Sequence, residues 1–101
     1  MKKDEAIQNL KHSKESLQKA EQSLLETESK FEQQYRTATT VFGHHMQTIC
    51  PDITTQPERY LEEDSTVTKD LANCRIGVMK AQESVEKAKK TVINEAQKVH
   101  D

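Results

Sequence analysis

The stretch LANCRIGVMKAQESVEKAKKTVINEAQKV, Leu71 to Val99, decides the fold. Leu71, Val78, Val85, Val92 and Val99 recur every seven residues. Three residues after the first four of them come Cys74, Ala81, Ala88 and Glu95. This is a heptad seam with branched residues at one position and mostly small residues at the other. A helix carrying such a stripe needs a partner to bury it. The first half of the chain supplies one. Leu10, Leu17, Leu24, Phe31 and Ala38 repeat at the same interval, followed three residues on by Ser13, Ala20, Thr27, Gln34 and Val41, with Ala6 just before the set.

Between the seams, Ile49 to Gln56 breaks the pattern. Pro51 and Pro57 bracket it, and Asp52, Thr54 and Thr55 are turn and capping residues. Pro57 suits a first helical position. The expected architecture is therefore all-α. One domain, residues 1–101, forms an antiparallel coiled-coil hairpin with helices over 4–48 and 57–100 and a turn over 49–56. The preferred register sets Phe31 opposite Cys74, Leu24 opposite Ala81 and Leu17 opposite Ala88. Each of these layers then pairs one large residue with one small one. A shift by one heptad also keeps the seams facing, but leaves Leu10 without a partner.

Composition agrees with long helices. The 101 residues include two Gly, two Pro and no Trp, and 33% hydrophobic residues stand beside 32% charged ones. A mean hydropathy of -0.93 admits disorder. The heptads argue against it, because a disordered chain need not hold apolar residues in register. The net charge of -2, with both signs interspersed, leaves no electrostatic footprint for nucleic acid or an anionic membrane. No apolar run approaches the ~20 residues of a membrane span, and no apolar segment follows the N-terminal charges as a signal peptide requires. Two Cys without such a signal suggest free thiols in a reducing compartment, so the expected location is cytoplasmic.

A single stripe per helix buries little, so a second, weaker set draws notice. Ile7, Tyr35, Phe42 and Ile49 flank the first seam, and Ile76 and Ile93 lie off the second. The preferred reading is a docking face that pairs two hairpins into a four-helix bundle, or that holds another protein. The alternative is side chains wrapped over the seam edge. Val41, Phe42, Met46, Ile49, Cys50, Ile53, Tyr60 and Leu61 crowd the tip, where a small cap core under the connection is expected.

Chemistry is sparse. His44-His45, Cys50 and Cys74 are soft ligands, but adjacent His residues on a helix point about 100° apart and lack zinc-site spacing. No phosphate-binding glycine loop occurs, and a hairpin offers a Cys/His pair no water-excluding pocket. The expectation is no enzyme, no metal and no cofactor.

The run Lys30-Phe31, six residues, Ala38-Thr39, with Leu24 seven residues before the Phe, resembles the first helix of the SH3-domain-binding protein Sab family. Pro57 with Tyr60-Leu61-Glu62 is similar to that family's Pro followed by aromatics and Glu. Ala88-Lys89-Lys90-Thr91-Val92 is similar to its Ala-Lys-Glu-Thr-Ile stretch. The likeness spans about Leu10 to Val99 and covers only the first of the family's two hairpins. It implies a cytosolic coiled-coil protein that binds a Rab-type small GTPase and promotes nucleotide exchange. Three functions are therefore expected, in order. The first is a non-catalytic interaction or scaffold module that forms a homodimer. The second is a small-GTPase regulator, as exchange factor or effector. The third is a BAR-like membrane-associated dimer, which the missing basic face disfavours.

Overall fold

The structure, a computed structural model, describes residues 2–43 and 46–100. Its elements in order are α1 (Lys3–Phe42), the short α2 (Met46–Ile49), a 3-10 turn (Pro57–Tyr60) and α3 (Thr66–His100). No strand occurs among the described residues. The long helices α1 and α3 pack against each other as an all-α helical hairpin. The chain divides into two compact units. A terminal unit joins Met1–Leu24 to Ala81–Asp101, and a loop unit spans Leu25–Lys80.

Helix α1 has no proline, and Asp4 and Glu5 sit in its first turn, where the dipole favours carboxylates. Thr37, Thr39 and Thr40 donate their hydroxyls to the carbonyls of Gln33, Tyr35 and Arg36, each at 3.0 Å. These β-branched residues thus satisfy their polar groups inside the helix. Arg36 pairs with Glu32 at 2.7 Å one turn back. The helix ends at Phe42 rather than running on to residue 48. The cause is Gly43, whose φ of 69° is left-handed, the usual conformation just past a helix end. Val41, a seam position by spacing, lies in the last turn of α1 and is exposed.

The second helix starts later than the sequence suggests. Pro57 does open a helical turn, but that turn is 3-10 and stops at Tyr60. Local tethers pull it inward. The Tyr60 hydroxyl accepts the Asp52 amide at 3.3 Å, and the Arg59 guanidinium meets the Asp52 carboxylate at 2.6 Å. Helix α3 begins at Thr66, where the Ser65 hydroxyl accepts the Thr68 amide at 3.4 Å as an N-cap. The expected turn over 49–56 is therefore a connection from Gly43 to Ser65 with two short helical pieces inside it.

In the loop unit, Ala38, Met46, Cys50, Ile53, Leu71 and Ala72 form one buried cluster, with Phe31, Tyr35, Phe42, Tyr60 and Val67 packed around it. The cap core expected at the tip is present. Its members are Met46, Cys50 and Ile53, while Val41, Ile49 and Leu61 stay outside. The Arg75 guanidinium lies 5.6 Å from the centre of the Phe31 ring, and Lys30 is close enough to Cys74 to act on its thiol. Both contacts fit the register that sets Phe31 opposite Cys74. The heptad-shifted alternative places Phe31 opposite Ala81.

The terminal unit is thinner. Its buried residues among those described are Ala6, Ser13 and Val85. Leu10, Leu17, Ala20, Leu24, Ala81, Ala88, Val92 and Val99 are half-buried. Ser13 is tolerated in the seam because its hydroxyl donates to the Leu10 carbonyl at 2.8 Å.

Candidate functional site

The residues that flank the seams differ in burial. Tyr35 and Phe42 are half-buried against the loop-unit core, and Tyr35 meets Phe31 with ring centroids 6.0 Å apart. Met46, Cys50 and Ile53 of the connection belong to the cluster on which this flank packs. Ile76 is half-buried on α3. Ile49 ends α2 at 38% exposure. Only Ile7, at 49%, and Ile93, at 57%, stay open in the terminal unit.

Two further features of this surface escape the sequence reading. Leu25 is 63% exposed, the most open of the large apolar side chains described. Its signal was available, since it directly follows the seam residue Leu24. The second is Arg75, which donates Nε to the Thr54 carbonyl at 2.9 Å besides covering Phe31. It ties the connection to α3, and nothing in the spacing of charges announced that.

Glu95 occupies a seam position of the terminal unit. One of its oxygens meets Lys98 at 3.4 Å, and the other is buried without a hydrogen-bond partner. A carboxylate half-satisfied in a seam weakens the pairing that contains it.

The loop unit carries an open groove of about 280 Å³ lined by Thr27, Lys30, Asn73, Cys74 and Gly77. The space beside Gly77 is open, for a Cβ built there meets nothing within 4 Å. The walls offer one thiol. Burial pushes the Cys74 thiol up from its ordinary value, the Lys30 ammonium opposes that rise, and Asp70 adds to it. Cys50 is raised as well, by burial first and then by the Glu63 carboxylate. Both cysteines are free thiols. A raised pKa leaves a thiol protonated and a poor nucleophile or metal ligand.

No group of three His, Cys, Asp or Glu side chains among the described residues is arranged to hold a metal ion. His44 and His45 lie outside the described residues. No described helix is long and apolar enough to cross a membrane. Compared with protein families, curated proteins and solved structures, the chain matches none.

Proposed function

We propose that this chain is a non-catalytic helical interaction module that presents its hairpin surface to a protein partner. One observation carries the reading. Six large apolar side chains, Ile7, Leu25, Val41, Ile49, Leu61 and Ile93, stay at least 37% exposed on a chain whose own buried core is small. Apolar side chains left out of a thin core gain free energy when a partner covers them. Long amphipathic helices are well suited to presenting apolar anchors to a partner.

A photo-crosslinking residue placed at Leu25, and in a separate variant at Ile93, tests the reading in cells that express the chain. At least one discrete protein adduct is expected. Absence of any adduct from both positions would remove the interaction reading. A parallel pull-down against small GTPases, nucleotide-free and nucleotide-loaded, separates the scaffold from the regulator. Retention of the nucleotide-free form alone would replace the scaffold reading with that of an exchange factor.

A further inference from the structure

We infer that the fold has a built-in opening: the terminal unit comes apart as one cooperative unit while the loop unit stays folded. The inference concerns the chain alone and holds with or without a partner.

The loop unit is held from several sides. Its buried cluster takes Ala38 from α1, Met46 from α2, Cys50 and Ile53 from the connection, and Leu71 and Ala72 from α3. Separating any one of these elements uncovers apolar surface on all the others, so the loop unit gives way all at once. Arg75 adds a tie. From α3 it covers the Phe31 ring of α1 at 5.6 Å and donates Nε to the Thr54 carbonyl of the connection at 2.9 Å.

The terminal unit has two helices and no third element among the described residues. Its buried residues are Ala6, Ser13 and Val85, of which only Val85 is a sizeable apolar side chain. Two of its seam positions are polar. The Ser13 hydroxyl donates to the Leu10 carbonyl of its own helix at 2.8 Å. Glu95 keeps one carboxylate oxygen buried without a hydrogen-bond partner, which favours separation because water then reaches it. The His12–Glu15 contact at 3.9 Å and the Lys98–Glu95 pair at 3.4 Å each lie within one helix, so they brace a helix and not the pairing.

Parting and melting go together here. Most of the stability of a helix in a protein comes from packing an amphipathic face, so a helix that loses its partner loses its amide protection too. Proteins open in contiguous cooperative units, and units with few buried apolar contacts open most readily. The loop unit keeps its own cluster and its own tie, and so survives the opening.

Native-state amide hydrogen exchange on the purified full chain tests this. Protection at Leu17, Ala20, Val85 and Ala88 is expected to share one opening and to lie roughly tenfold or more below that at Leu71, Ala72 and Val78. Leu71→Ala, in the loop cluster, should then quicken exchange at Ala72 and Val78 and leave Leu17 and Val85 at the wild-type rate. Val85→Ala should quicken both sets, because global unfolding includes the terminal opening. Equal protection in the two units overturns the inference. So does a rate that falls smoothly from the helix ends inward, or a Leu71→Ala variant in which both sets quicken together. Should Leu71→Ala fail to fold, the milder Ile53→Val replaces it with the same two readings.

Discussion

The two units are built from the same two helices, yet the loop unit buries nine of its described residues and the terminal unit three. The loop unit's set is Ala38, Met46, Cys50, Ile53, Pro57, Thr68, Leu71, Ala72 and Val78. The terminal unit's is Ala6, Ser13 and Val85. The seams alone do not explain the contrast, since both units have heptad stripes of similar quality. The difference is a third layer. A helix pair can hide only the stripe where the two surfaces meet. In the loop unit residues of the connection join the buried cluster, and Tyr35 and Phe42 pack half-buried against it. In the terminal unit no third element among the described residues does this, and Ile7 and Ile93 remain exposed. Coverage from a third element, more than seam composition, sets how deep a two-helix core becomes.

The strongest challenge to this comparison comes from the core itself. Leu71→Ala removes a fully buried side chain of the loop cluster and should cost about 2–5 kcal/mol, whereas Val85→Ala in the terminal unit should cost about 1.5 kcal/mol. Thermal or denaturant unfolding of the two variants measures both. Equal costs would mean that the terminal unit is as well covered as the loop unit. A smaller change in the opposite direction would sharpen the contrast. Glu95→Leu replaces a seam carboxylate whose one oxygen has no partner and should stabilise the chain by about 1–2 kcal/mol. A loss of stability there would show that the carboxylate is held by contacts beyond Lys98. Smallest of the three, Arg75→Ala should cost about 1 kcal/mol by releasing the Thr54 carbonyl and uncovering Phe31. Hydrogen exchange should then quicken in the connection and not in the terminal unit. Faster exchange throughout would place Arg75 in a wider role than tethering the third layer.

Much of this was legible in the residues. The seams from Leu10 to Ala38 and from Leu71 to Val99 follow from the heptads. So does a register with Phe31 opposite Cys74, because large and small residues alternate across it. Helix ends were less legible. Gly43 was visible, but a lone glycine inside a periodic stretch is also tolerated in helices, and only its φ of 69° shows that it ends α1. Pro57 correctly marked a helical start, yet Ser65, the cap of α3, was hidden behind three carboxylates that read equally well as a first turn.

The sequence by itself determined that two long amphipathic helices pair, and their register to within one heptad, because periodicity and side-chain volume act locally and repeat. Only the tertiary structure decided which flanking side chains become core. That outcome depends on where the connection lies, and the connection is held by single contacts, Tyr60 to Asp52 within it and Arg75 of α3 to Thr54, which no periodic pattern encodes.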